Sequence, residues 1–133
     1  MWIISNGRLV HTTDESRISF RTTLCKSILN ELEDLAEKHN THINYLLETG
    51  FINVLKQEKI DYNKMPRVNP KNRIRYSTTY DKELIDSIRD FAKKEFIHIN
   101  QLIEYSAQFV DTKASKYKDY RYRIERDWLS LSP

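Results

Sequence analysis

Two short rows of side chains carry the chemistry that stands out in this sequence. They are Arg17, Ser19, Arg21 and Thr23, and Arg73, Arg75, Ser77 and Thr79. Members of each row are two positions apart, so in an extended strand they share one face. Guanidinium groups and hydroxyls on one face, with no carboxylate among them, suit a partner rich in hydrogen-bond acceptors and negative charge. An arginine fork bonds bidentately to guanine O6 and N7. Serine and threonine hydroxyls donate or accept, and threonine also touches the thymine methyl. A solvated outer sheet face is the plainer alternative. Four arginines without a compensating acid speak against it.

The residues between these rows define the elements that must hold them. Ile18, Phe20, Thr22 and Leu24 alternate with the first row, and Ile74, Tyr76, Thr78 and Tyr80 with the second. Period-2 alternation predicts a strand with one polar and one inward face. After the first row the period changes. Ile28, Leu29, Leu32, Leu35 and Ala36 form one helical stripe, and Ile43, Leu46, Leu47, Gly50, Phe51, Val54 and Leu55 a second. After the second row, Leu84, Ile85, Ile88, Phe91 and Ala92 are followed by Ile99, Leu102, Ile103, Ala107 and Val110. A shift of 56 positions superposes residues 17–54 on 73–110 without a gap, with 14 identities in 38 positions. The run His42-Ile43-Asn44 recurs as His98-Ile99-Asn100. This is an internal strand–helix–helix repeat. Gly50 lies on an apolar helix face, where glycine costs about 1 kcal/mol against alanine. A close helix–helix approach is the expected compensation, and its counterpart Ser106 is also small.

One strand with two helices leaves backbone groups unpaired and buries little surface. Two copies remove both deficits if the strands pair antiparallel and the inward side chains cap a four-helix core. The order strand, helix, loop, helix, with an alternating Arg/Ser/Thr strand and a helix opening on HIN, resembles the ribbon-helix-helix DNA-binding proteins of the Arc, MetJ and CopG type. The resemblance covers residues 17–57 and 73–112. It implies a mainly α fold with a two-stranded antiparallel β-ribbon, built as a tandem ribbon-helix-helix pseudo-dimer within one chain. It also implies that the ribbon enters the major groove, a docking mode known for Arc and MetJ. Arg17, Ser19, Arg21, Thr23, Arg73, Arg75, Ser77 and Thr79 would then read bases. By the same match, His42, Ile43 and Asn44, and His98, Ile99 and Asn100, would form the first turns that hold DNA phosphates. Such turns carry free N–H groups at the positive end of the helix dipole. Ser19 matches Arg75, and Arg21 matches Ser77, so a chain folded on itself is expected to read an asymmetric half-site.

The remaining segments are distinct. Residues 1–16 hold two short apolar runs about Asn6-Gly7, the sequence signature of a type I′ hairpin. Residues 58–72 contain two prolines and no period, and read as a linker whose lysines add nonspecific affinity for nucleic acid. Residues 113–133 form a basic, aromatic tail, expected to be a helix with Tyr117, Tyr120, Ile124 and Trp128 on one side. It packs on the domain or contacts nucleic acid or a protein partner.

Across 133 residues, 22 basic and 19 acidic side chains leave a net charge of +3, which permits nucleic acid without demanding it. The single cysteine, Cys25, excludes an intrachain disulfide and fits a reducing compartment. There is no apolar run of membrane-spanning length and no signal-peptide pattern, so a soluble, cytoplasmic, nucleoid-associated protein is expected, with no membrane partner. No P-loop, nucleophile elbow, HExxH or paired-carboxylate pattern is present. Hence no catalytic residue, cofactor or metal is expected. His39, His42 and Cys25 are poor metal ligands as a set, because the second copy has Glu95 and Asp81 in place of His39 and Cys25.

The resulting expectation is a sequence-specific double-stranded DNA-binding protein acting as a transcriptional repressor, with self-association on adjacent half-sites. Two alternatives remain open: a protein-interaction adaptor or phage-type inhibitor on the same scaffold, and a plasmid or phage DNA-processing accessory.

Overall fold

A computed structural model describes residues 16–118 in full and the backbone of two strands before them, β1 (Trp2–Ser5) and β2 (Arg8–His11). These strands pair antiparallel in a sheet of their own, with Ser5 opposite Arg8. The Asn6-Gly7 turn between them lies outside the described residues.

The alternating segments form β3 (Arg17–Cys25) and β4 (Arg73–Asp81), each one residue longer than its alternation. They pair with each other, antiparallel and within the same chain. Each runs directly into a helix. Helices α1 (Lys26–Lys38) and α2 (Ile43–Leu55) follow β3, and α3 (Lys82–Lys94) and α4 (Ile99–Ser106) follow β4. The fold is therefore mixed, with four helices and a central two-stranded antiparallel ribbon among the described residues. No helix among those residues is long and apolar enough to cross a membrane.

The inward row of the ribbon seals the helical core. Phe20, Leu24 and Tyr80 are buried, and Tyr80 meets Phe20 and Phe51 ring to edge, with centroids 5.8 and 5.2 Å away. Tyr76 is half-buried against the same cluster. Ile74 departs from the pattern: it lies in the inward register yet is exposed, at the ribbon end beside Lys71 and Asn72. The helical stripes of each copy face the core, their centres buried, with Leu46, Phe51, Val54, Ile85, Ile88, Leu102 and Ile103 fully inside and the residues at their margins half-buried.

The register places a local two-fold axis. Arg21 is opposite Ser77, and these residues are also counterparts in the repeat. Only an axis passing between them pairs a position with its own counterpart. The same holds on the far side of the core, where α2 meets the end of α4. A Cβ on Gly50 would fall inside contact distance of the Ser106 carbonyl oxygen and 3.2 Å from Val110 Cγ1. Glycine is required there because two backbones touch at the axis.

The connecting segments are more structured than their sequence suggests. The linker forms two 3₁₀ turns, Tyr62–Lys64 and Pro70–Asn72, capped by the side chains of Asp61 and Asn69. Ile60 anchors it in the core, and the Asp61 N–H donates to the Tyr105 hydroxyl at 3.1 Å. After α4 the chain tightens into a 3₁₀ turn, Ala107–Phe109, and then extends. The helix does not continue into the tail. Asp111 accepts from the Lys113 N–H at 2.9 Å, an Asx turn that competes with a helix. The segment then folds back on the α1–α2 turn of the first copy. The Lys118 N–H donates to Asn40 O at 2.8 Å, and the buried Thr41 hydroxyl bonds Ser115 Oγ and the Lys116 carbonyl. Residues 119–133, with most of the expected tail helix, lie outside the described residues.

Candidate nucleic-acid interface

Strand alternation puts the odd-numbered residues from 19 to 23 of β3 and from 75 to 79 of β4 on the side away from the core. Register then sorts them into cross-strand pairs: Ser19 with Thr79, Arg21 with Ser77, and Thr23 with Arg75. All but the half-buried Thr79 are exposed. These three pairs carry two guanidinium groups and four hydroxyls and no carboxylate; the one acid in the same register, Asp81 opposite Arg17, is turned to cap α3, accepting from the Leu84 N–H at 3.0 Å. Arg21 and Arg75 are diagonal neighbours across the ribbon, and neither has an ion-pair partner among the described residues. Diagonal side chains lie roughly 7–8 Å apart, so the two positive charges reinforce one another's field.

Arg17 and Arg73, at the strand starts, are held differently. The Arg73 Nη2 and Nε donate to Glu104 Oε1 and Oε2 at 2.7 and 3.0 Å. Glu104 Oε2 also accepts from the Cys25 N–H at 2.8 Å, and its side chain is only 2% exposed. Arg17 repeats the scheme with Glu48: Nη2 to Oε1 at 3.0 Å and Nη1 to Oε2 at 3.3 Å, with the Asp81 N–H donating to Oε2 at 3.0 Å. Arg17 additionally donates to the Thr79 carbonyl and hydroxyl at 3.0 and 3.3 Å. Each glutamate thus ties the arginine of its own copy to the backbone N–H of the last residue of the other copy's strand. Hydrogen bonding to Glu104 holds the Arg73 guanidinium even more firmly charged than usual. These two arginines fix the ends of the ribbon to the helices, and the freely presented arginines are Arg21 and Arg75.

Glu48 and Glu104 were not singled out by the sequence reading. The signal was there: they are one of the 14 identical pairs, and they place a carboxylate on an otherwise apolar helix face.

The helix starts flank the ribbon. His42 and His98 stand at the N-caps of α2 and α4, both exposed. Ile43 and Ile99 turn their side chains to the core. Asn44 spans from helix to ribbon: its Nδ2 donates to Thr79 O, and its Oδ1 accepts from the Tyr45 N–H, both at 3.0 Å. Asn100 accepts from the Gln101 N–H at 2.8 Å, and the His98 N–H donates to Gln101 Oε1 at 3.0 Å. Among the described residues the N–H groups of Ile43, Asn44, Ile99 and Asn100 have no protein acceptor. These orphan donors of a first helical turn suit an anion.

The α4 start and the ribbon share a groove of about 910 Å³, lined by Arg21, Thr23, Arg75, Ser77 and the turn His98–Asn100. The α2 start borders one of about 490 Å³ with Arg17, Thr79 and Lys118. Six of the eight strand positions, all but Ser19 and Arg73, and all six helix-start positions line one or other of these two grooves.

Cys25 is the last residue of β3, buried, with its sulfur 3.1 Å from Ser27 Oγ. That hydrogen bond lowers the thiol pKa, against an opposing effect of burial. Among the described residues no group of three His, Cys, Asp or Glu side chains is placed to hold a metal.

No protein-family model matches this chain, and no curated protein or solved structure matches it either.

Proposed function

We propose that this chain is a sequence-specific double-stranded DNA-binding protein that inserts its central ribbon into the major groove and acts as a transcriptional repressor. In this reading it is a ribbon-helix-helix pseudo-dimer made from one chain. The observation that carries it is the outer face of β3 and β4: six side chains able to bond base edges, two of them unpaired arginines, with no acid among them. A two-stranded ribbon has the width to enter the major groove, where each base pair offers a distinct donor and acceptor pattern. The orphan N–H groups of Ile43, Asn44, Ile99 and Asn100 flank that face and would grip phosphates on either side. Arg17 and Arg73, engaged by glutamates, would position the ribbon rather than read bases.

The test is selection of duplexes from random sequence at ~150 mM salt, a level at which nonspecific phosphate contacts are already weakened. The wild-type chain should enrich one motif, and Arg21→Ala/Arg75→Ala should not. Placed over a promoter, the motif should lower reporter output only with the wild-type chain. Enrichment that the double variant retains would refute base reading by the ribbon.

A second reading, a protein-binding adaptor, is favoured by one observation. Phe96 is 94% exposed and holds a φ of 57°, although an aromatic side chain has no conformational reason to be there. If that reading holds, Phe96→Asn abolishes function while Arg21→Ala/Arg75→Ala does not.

A further inference from the structure

The two-fold axis that relates the copies does not relate the chemistry of the ribbon's outer face. It exchanges Ser19 with Arg75, Arg21 with Ser77, and Thr23 with Thr79. Followed from the α2 end to the α4 end, the three cross-strand pairs are Ser19/Thr79, Arg21/Ser77 and Thr23/Arg75. Both free guanidinium groups therefore lie at the axis or beyond it toward α4, where they line the groove with the His98–Asn100 turn. The α2 end has hydroxyls only, and there the Thr79 hydroxyl already accepts from Arg17 Nε at 3.3 Å.

The surroundings of the two ends diverge in the same sense. Residues 115–118 fold over the Asn40-Thr41 turn, and Lys118 borders the α2-side groove. The counterpart turn on the α4 side has Phe96 and Ile97 in place of Asn40 and Thr41, and so lacks the threonine hydroxyl that holds the segment.

We infer that the ribbon's ligand is a non-palindromic duplex core in which guanine contacts are confined to the half facing α4. This rests on the DNA-reading role proposed above. Successive pairs on one face are two residues apart, or ~7 Å along the strands, close to two base-pair steps of ~3.4 Å. The three pairs therefore span about four base-pair steps, a core of about five base pairs. Arg21 and Arg75 address its middle and one end through guanine O6 and N7. Ser19 and Thr79 address the other end, where a hydroxyl accepts either base type and a threonine methyl favours thymine. A homodimer cannot make this distinction, because its two strands carry the same residues.

The decisive experiment symmetrises the face. The double variant Ser19→Arg/Arg21→Ser gives β3 the same outward order as β4, arginine, serine, threonine, at positions that are exposed in the native chain. Both forms undergo duplex selection, with symmetry scored inside the core bound by one chain, and matching urea midpoints confirm that both are folded. The expected result is a wild-type core with guanine on one side only and a variant core that is palindromic about its centre. A palindromic wild-type core, or a variant that keeps the wild-type motif, overturns the inference and leaves DNA reading intact. Failure of both folded proteins to enrich any motif overturns DNA reading itself, and the inference with it.

Discussion

Glu104→Gln should destabilise this protein more than Glu48→Gln, although the two glutamates are counterparts. Glu104 has a side chain 2% exposed and accepts three hydrogen bonds, two from Arg73 and one from the Cys25 N–H. A glutamine keeps one acceptor oxygen. Wherever that oxygen sits, the amide nitrogen faces a donor, and Arg73 has no other acceptor among the described residues. Removing the charge from one partner of a buried pair costs roughly 3–5 kcal/mol. Arg73 is 15% exposed, which allows some hydration, so the lower end, about 3 kcal/mol, is expected for Glu104→Gln. Arg17 is in a different position, because it also donates to the Thr79 carbonyl and hydroxyl. Those bonds survive Glu48→Gln, and about 1–2 kcal/mol is expected, on the order of one charge-assisted hydrogen bond. The assay is urea unfolding followed by circular dichroism. With a slope of roughly 2 kcal/mol per molar, Glu104→Gln should lower the midpoint by about 1.5 M and Glu48→Gln by about 0.5–1 M. Adding Arg73→Met to Glu104→Gln should recover part of the loss, since it removes the stranded cation and leaves glutamine to accept from Cys25. Equal midpoints for the two single variants, or a double variant less stable than Glu104→Gln, would refute this account of the ribbon anchors.

Gly50→Ala should lower stability by about 1–2 kcal/mol in the same assay. The gain in helix propensity, about 1 kcal/mol, is outweighed by overpacking of roughly 1–3 kcal/mol or more against a backbone carbonyl that no rotamer change can move. An unchanged or higher midpoint would show that α2 and α4 do not touch there. Phe96→Asn should raise stability by about 1 kcal/mol, because asparagine tolerates the left-handed conformation better and an almost fully exposed ring contributes no packing. Tyr80→Phe should be neutral or stabilising by about 1 kcal/mol near pH 7, since the buried hydroxyl has no hydrogen-bond partner among the described residues. Burial also holds the Tyr80 pKa well above its ordinary value, so wild-type stability is intact below about pH 10 and falls as pH rises past it. In Tyr80→Phe that alkaline loss should shrink, and an unaltered pH profile would assign it to other groups.

Periodicity sufficed for the elements with one wet and one dry face. The alternation in RISFRTT and RIRYSTT located both ribbon strands, and the 3.6-residue stripes located all four helices. Gly50 was readable as a close approach because nothing else justifies glycine on a buried helix face. Three features escaped. The tail was read as helical from aromatic spacing, whereas its described part, residues 113–118, is fixed by contacts to Asn40 and Thr41 that no local pattern encodes. Ile60 looked like linker because one buried residue has no period. Arg17 and Arg73 looked equivalent to Arg21 and Arg75 because alternation assigns a face and says nothing of strand ends. Only the fold brings Glu48 and Glu104 within reach of them.

The distribution of differences between the two copies follows from where each residue sits relative to the axis. Several positions that join one copy to the other are identical: Arg17 and Arg73, Glu48 and Glu104, Thr22 and Thr78. A change in one of these alone would leave a buried charge or a misfit across the ribbon. Among outward positions Thr23 and Thr79 are alike, but Ser19 and Arg75, Arg21 and Ser77, and Asn40 and Phe96 differ. In a homodimer every outward substitution appears twice, so the surface is locked to the symmetry of the core. Linking the copies through residues 58–72 removes that lock while keeping the packing that needs two of everything. In the proposed reading, the shared anchors support the ribbon and the outward residues that differ are what it presents to DNA. Symmetrising the outer face should therefore change what is bound while leaving the urea midpoint unmoved, whereas Glu48→Gln or Glu104→Gln should lower the midpoint without changing the selected motif.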